Sequence, residues 1–278
     1  MRLGGPVFEP YEDPERYCAA ARAAGYSAIY LPLGEEAGIE AARALERAAA
    51  RAGLVIAEAG AWSNPLSPDE ATRRAAVLKC QRMLALADAA NARCCVNIAG
   101  SRGTKWDGPS RADLSEETLE QIVVTVREII DAVRPVRTYY TLETMPWMFP
   151  DSTESYVRLI RAIDRPRFAV HFDPVNLVSS PQRFFHTGAL IAEFVAALGP
   201  HIRSCHAKDI ALRDNLTVHL DEVRPGTGGL DYGALLRALN QLDPDVPLML
   251  EHLPDAAEYQ TAADFIRERA RAEGVVLR

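Results

Sequence analysis

Eight short apolar runs alternate with eight longer helical patterns along this 278-residue chain, and few folds can accept that order. The runs are Arg2–Val7, Ser27–Pro32, Leu54–Ala59, Arg93–Ile98, Thr138–Glu143, Phe168–Asp173, Ile202–Ala207 and Pro247–Glu251. Near-continuous apolar character over so few residues suits parallel strands covered on both faces. Between and after them, Pro14–Ala24, Glu36–Ala52, Pro68–Ala90, Ser115–Val133, Thr153–Ile163, Ala189–Leu198, Tyr232–Leu242 and Ala256–Glu273 read as helices. Strand and helix in strict alternation, with short connections, give a (β/α)8 barrel or an open doubly wound sheet. No GxGxxG follows the first run, which weakens a dinucleotide-binding open sheet. The expectation is an α/β protein, one (β/α)8 barrel. Residues 1–278 are read as a single domain, because no long linker, low-complexity tract or shift in composition interrupts them. Helix starts carry their own signals: Ser67-Pro68 offers an N-cap followed by proline, and Ser115 precedes Glu116 and Glu117.

Four successive runs in the second half end in ligand-type side chains. They are Glu143 in TYYTLET, Asp173 in FAVHFD, His206 in IRSCHAKD and Glu251 in PLMLEH. Charges at the ends of buried strands are expensive unless something binds them. Each has an ordinary explanation taken alone: a helix start, a turn at Asp173-Pro174, a hydrogen-bonded core histidine, a solvated loop. Coincidence at four strand ends is the weaker explanation. In a closed barrel these ends fan around half of one mouth and can converge on a single ion. Three carboxylates and one imidazole suit Mn²⁺ first, with Mg²⁺ or Co²⁺ as alternatives, and suit structural zinc less well. Four protein ligands in an octahedral shell leave two positions open, enough for a carbonyl and a neighbouring hydroxyl of a polyol. A carboxylate beside the substrate carbon can then remove and return a proton through an enediolate.

Other side chains share that end of the chain pattern. Strand alternation puts His171 on the face of Asp173, and Lys208 on the face of His206. Lys208 suits either a substrate oxygen or a buried acid, and His171 either a substrate contact or a packed interior ring. Trp62 and Trp147, after the third and fifth runs, suit a wall for a sugar face or core packing. Arg224 suits an anionic or hydroxyl group of a substrate, or plain surface. The longest irregular stretches, Ala99–Leu114, Met145–Ser152 and Ile210–Leu230, all follow strands, at the end where a barrel carries its site.

Composition narrows the partners. A net charge of −7 disfavours broad binding to nucleic acid or acidic membranes. Five cysteines without CxxC spacing argue against a disulfide framework or a zinc ribbon. No apolar stretch approaches a membrane span, and the N-terminus MRLGGPVFEPYEDPE lacks a signal-peptide pattern, so a cytoplasmic location is expected.

The order and spacing of LE (Leu142-Glu143), HFDPVN (His171–Asn176), HAKD (His206–Asp209), PGTGGLDY (Pro225–Tyr232) and LEH (Leu250–His252) resemble the xylose isomerase-like TIM-barrel superfamily, the sugar phosphate isomerase/epimerase family. The resemblance implies metal ligation by Glu143, Asp173, His206 and Glu251. In the family's ketose 3-epimerases the two glutamates are also the acid/base pair, a role that maps onto Glu143 and Glu251. It places Asn176 where those epimerases bind substrate with a histidine, and Phe149 where they carry a second glutamate. The expected activity is a metal-dependent isomerase or epimerase acting on a ketose or related polyol. A dehydratase or lyase acting on an inosose or oxidised sugar, of the C-glycoside-cleaving type, is the alternative. An endonuclease IV-like nuclease needs histidines from early strands, and here none precedes His171. The expected partner is a small sugar or polyol, with no nucleic acid and no membrane. A homodimer or homotetramer stays open.

Overall fold

A computed structural model describes residues 1–278. Its strands are β1 (Arg2–Gly4), β2 (Ala28–Tyr30), β3 (Val55–Gly60), β4 (Cys94–Asn97), β5 (Tyr140–Glu143), β6 (Phe168–Phe172), β7 (Ile202–Ala207), β8 (Asp209–Leu212), β9 (Leu220–Val223) and β10 (Pro247–Leu250). Its helices are α1 (Pro14–Ala23), α2 (Ile39–Arg51), α3 (Glu70–Ala89), α4 (Glu116–Val133), α5 (Thr153–Ile163), α6 (Pro181–Phe184), α7 (Thr187–Leu198), α8 (Tyr232–Leu239) and α9 (Ala256–Ala272). Eight parallel strands close into a barrel in the order β1-β10-β7-β6-β5-β4-β3-β2. The closed ring excludes the open doubly wound alternative. No helix is long and apolar enough to cross a membrane.

The strands form where the apolar runs predict, and two cores result. Outward strand residues such as Ile56, Leu142, Phe172 and Leu248 join the helices in a core of 65 buried residues. Inside the barrel, Ala28, Ala57 and Met249 make a small floor. Gly4 keeps that floor open, since a Cβ there would lie 2.6 Å from Met249 Sδ. Side-chain caps start most helices. Asp13 Oδ1 accepts from Arg16 N at 2.9 Å, and Ser115 Oγ from Thr118 N at 3.2 Å. The cap of α3 differs from the sequence reading. Asp69, not Ser67, accepts from Thr72 N at 2.8 Å, and Ser67 Oγ, two residues further out, accepts from Asp69 N.

Two departures bear on the site. The stretch Ile210–Leu230, expected to be irregular, holds the antiparallel hairpin β8–β9, paired Asp209 to Val223. Its base is pinned by the Asp209 carboxylate, which accepts from the backbone N–H groups of Gly226, Gly228 and Leu230. A Cβ on Gly228 would lie 2.4 Å from that carboxylate, so the PGTGG turn needs glycine there. The second departure is in β3. Its register against β2 slips between Ile29 and Tyr30, so that Tyr30 faces Glu58. Two consecutive residues then turn inward: Ala57 packs into the floor and Glu58 meets His171 and His206.

Candidate metal centre and substrate cavity

Glu143 ends β5, Asp173 follows β6, His206 lies near the end of β7 and Glu251 follows β10. Within this quartet the nearest ligand-type atoms all lie within 4.8 Å of one another. His206 Nδ1 is 2.8 Å from Glu251 Oε1, 3.1 Å from Glu143 Oε1 and 3.6 Å from Asp173 Oδ2. The backbone aims these groups. Asp173 Oδ1 is committed to its own DPVN turn, accepting from Val175 N at 2.9 Å and Asn176 N at 3.2 Å. That leaves Oδ2 facing the cluster. Thr144 Oγ1 donates to Asp173 O and accepts from Asp173 N, tying the ends of β5 and β6 together. Tyrosines hold the strand ends from outside: Tyr156 OH donates to Leu142 O at 2.5 Å, and Tyr232 OH to Lys208 O at 2.7 Å.

Lys208 takes one of its two expected roles. Its Nζ lies 2.6 Å from Glu251 Oε1 and 2.7 Å from Asp173 Oδ2, so the ammonium pairs with buried acids. Asn176 Nδ2 donates to Glu143 Oε1 at 3.2 Å. Beneath the quartet, Glu58 Oε1 is 3.0 Å from His171 Nε2 and also accepts from Ser204 Oγ. Glu58 Oε2 is 3.2 Å from His206 Nε2.

Electrostatics follow from burial and crowding. Burial pushes the Glu143 carboxyl above its ordinary range, against His206 and Lys208. Burial would also raise Glu251, but the His206 imidazole and the Lys208 ammonium outweigh it and hold it at about 2. Asp173 is held well below the carboxylate range, because Lys208 and His206 overcome its burial. Burial works against charge on Lys208 and His206 too, and the surrounding carboxylates reverse that, raising both well above their ordinary values. Asp173 Oδ2 and Glu251 Oε1 make no hydrogen bond of good geometry and are met only by the charges of Lys208 and His206; both face the common point. Three inward oxygens and one nitrogen form a donor set that could hold a hard divalent ion.

The quartet opens into a cavity of about 760 Å³, lined by Glu143, His206 and Glu251 on one side. Tyr30, Trp62, Ile98 and Trp106 form the opposite wall. Gly60 lets Trp62 fold back, since a Cβ there would lie 2.3 Å from the indole nitrogen. A larger groove of about 1160 Å³ runs between α3 and α4 on the outer surface and contains none of the quartet.

Sequence reasoning and structure part company at several residues. Trp62, Lys208 and Asn176 line the cavity, whereas Trp147, Arg224 and His171 do not. Trp147 donates Nε1–H to Asp107 O at 2.9 Å, bracing the loop that carries Trp106. Arg224 pairs with Glu258 at 2.8 Å instead of turning inward. His171 is fully buried under the cluster, bonded to Glu58. Glu58, Trp106, Asp107, Glu222 and His252 line the cavity without having been singled out. Only His252 had a local signal, its place beside Glu251 in LEH. Glu58 sits inside an alternating run whose register conceals it.

Comparison with known proteins agrees with the barrel fold. A 3-dehydroshikimate dehydratase from Bacillus anthracis is 25% identical over 140 residues, 50% of this chain and 45% of that protein. The match thus covers less than half the length of that relative. An L-ribulose 3-epimerase structure superposes with a TM-score of 0.71 at 16% identity, covering 99% of this chain and 96% of its own. A Mycobacterium smegmatis xylose isomerase-like TIM barrel protein, in complex with magnesium, superposes at 0.69 with 14% identity, covering 98% and 97%. At these identities the superpositions speak for the fold alone. The family model for the xylose isomerase-like TIM barrel matches residues 18–269, and this chain belongs to that family.

Proposed function

We propose that this chain, acting as one domain over residues 1–278, is a divalent-metal-dependent isomerase or epimerase of a ketose or related polyol. The observation that carries the reading is the convergence of Glu143, Asp173, His206 and Glu251 on one point at the floor of an open cavity. In this reading the four hold Mn²⁺ or a similar ion, which polarises a substrate carbonyl when bound. Glu143 and Glu251 reach the cavity from β5 and from the end of β10, so each can exchange a proton with a substrate carbon between them. Removal at the carbon beside the carbonyl gives an enediolate. Return to the opposite face inverts the centre, and return to the neighbouring carbon isomerises the sugar. Asn176, donating to Glu143, steadies that carboxylate. Trp62 and Trp106 offer apolar faces to the sugar ring or chain.

Charge supports a neutral substrate. The lining carries five carboxylates (Glu58, Asp107, Glu143, Glu222 and Glu251) against one lysine, and no arginine. That lysine is already paired with Asp173 and Glu251. A phosphate or carboxylate would enter this mouth against like charge and find no bidentate partner. The same argument weighs against a nucleic-acid substrate.

A dehydratase or lyase is the second reading, favoured by the likeness to the 3-dehydroshikimate dehydratase. It shares the proton abstraction and differs in expelling a leaving group. The test is proton NMR in D₂O with Mg²⁺-loaded protein and a panel of ketoses, inososes and dehydroshikimate. Loss of a proton signal beside the carbonyl of a neutral ketose, with a new sugar appearing, is expected. Turnover of dehydroshikimate alone would overturn the isomerase reading.

A further inference from the structure

We propose that Glu58 is a positioning residue for the cation site: it holds His206 in the one tautomer that can ligate. The inference rests on the metal reading above. Glu58 is fully buried, lies below the quartet and is not one of its members. No lysine or arginine pairs with it; its partners are the Nε2 atoms of His171 and His206 and the hydroxyl of Ser204. A buried carboxylate is costly unless several donors satisfy it, and here three converge on its two oxygens.

The two nitrogens of His206 face opposite environments. Nδ1 looks up at Glu143, Asp173 and Glu251, and Nε2 looks down at Glu58 Oε2, 3.2 Å away. A neutral imidazole carries one N–H. A ring that binds a cation through Nδ1 must keep its proton on Nε2, and that proton needs an acceptor. Glu58 supplies it, in the carboxylate–histidine–metal arrangement that orients a ligand and raises its basicity. His171 reinforces the assignment. Its Nε2 also points at Glu58, and its buried Nδ1 has no partner. An Nε2–H tautomer leaves only a lone pair unsatisfied there, not a donor. Glu58 therefore accepts from both rings. The bulge in β3 makes this possible by turning residue 58 inward after Ala57.

A glutamine at 58 replaces one carboxylate oxygen by an NH₂ donor, so it cannot accept from both rings where Glu58 now meets them, one on each oxygen. With Glu58→Gln, Mg²⁺ and Mn²⁺ affinity by calorimetry should fall about 10–100-fold, the usual loss for such an outer partner. Ser204→Ala removes a donor without touching the carboxylate, and should stay within about twofold of wild type. Equal losses in both variants, or an unchanged Glu58→Gln, would overturn the inference. Wild-type protein gives an independent reading should the variant not fold. In Mg²⁺-loaded protein with ¹⁵N-histidine, long-range correlation should find the His206 proton on Nε2, and a proton on Nδ1 would refute the role. Wild-type protein that takes up no ion would sink the metal reading itself. Ion uptake with an unaffected Glu58→Gln sinks only this inference.

Discussion

The two halves of the barrel mouth are built from different chemistry. From β5 to β10 each barrel strand ends in a charge: Glu143, Asp173, His206 with Lys208, and Glu251. From β2 to β4 the strands and their loops present Tyr30, Gly60 with Trp62, and Ile98, and the loop after β4 adds Trp106. One half concentrates buried charge that only a cation and its counter-ions can satisfy; the other offers mostly flat, apolar surface, with Asp107 beside Trp106 and with Glu58 buried beneath, joined to His206 of the charged half. The contrast separates two jobs. Substitutions on the charged half should change ion binding or turnover, and substitutions on the apolar half should change how well substrate is held.

The largest effect tests the charged half. On the proposed function, Glu143→Gln or Glu251→Gln keeps an oxygen for the ion but removes the proposed base. Turnover should fall by at least about 10²-fold, the ordinary scale for a general base. Much of the ion binding should persist by calorimetry. Inversion needing a base on each face would cost both variants their net conversion, while one could still exchange the substrate proton with solvent. Isomerisation on one face would spare exchange in one variant. Near-normal turnover in both, with the ion bound, would reduce these glutamates to ligands.

Ion removal comes next in size. An ion present at about 100 times its dissociation constant stabilises the folded chain by about 2.7 kcal/mol. Chelation should therefore lower the melting temperature measurably, and Mn²⁺ or Co²⁺ should restore it. Asp173→Asn should abolish most of that response, since Asp173 Oδ2 faces the common point and Oδ1 is already held by the DPVN turn. A melting temperature indifferent to chelator and to added ions would leave Lys208 and His206 as the counter-charges of the cluster.

The same contrast explains what could be read from the chain and what could not. The charged half was legible because its strands alternate over their last residues up to a ligand at each end; the register slip between β6 and β7 falls before His171 and Ser204. His171, Asp173, His206 and Lys208 share the interior as the period of two requires. The barrel itself was legible because every strand is a short apolar run, and Thr153–Ile163 and Ile202–Ala207 have the bounds that the pattern gave. Glu58 was hidden for the opposite reason. Alternation allows either Ala57 or Glu58 to face inward, and the register slip against β2 admits both. Trp106 lies in an irregular loop whose course depends on Asp113, which accepts from Ser101 Oγ and Arg102 N. No local periodicity encodes such a contact. The hairpin β8–β9 escaped notice because its strands are short and half exposed, with LDEV carrying two acids.

On the apolar half, effects should be smaller and of a different kind. Trp62 is 38% exposed and lines the cavity, so its truncation opens no core. Trp62→Ala should raise KM for a ketose by about tenfold, the equivalent of about 1.4 kcal/mol of lost contact. It should leave kcat within a few-fold and ion affinity unchanged. A large loss of kcat with unaltered KM would mean that the wall acts in the transition state, and the division between the halves would fail.

The smallest expected effect is the most informative about substrate charge. Arg224, at the turn after β9, pairs with Glu258 on the surface and does not line the cavity. A partly exposed surface pair of this kind is worth about 0–1 kcal/mol. Arg224→Ala should therefore change stability within that range and leave KM and kcat for a neutral ketose within about twofold. A substrate bearing phosphate or carboxylate would behave differently. It would need a cation that the five lining carboxylates and the committed Lys208 do not supply, and Arg224 is the one cationic residue of the β9–α8 turn. A tenfold rise in KM on Arg224→Ala, abolished by raising the salt concentration in both proteins, would show an anionic group recruited to that turn. Such a result would reassign the mouth from a neutral polyol to a charged substrate while leaving the metal cluster as described.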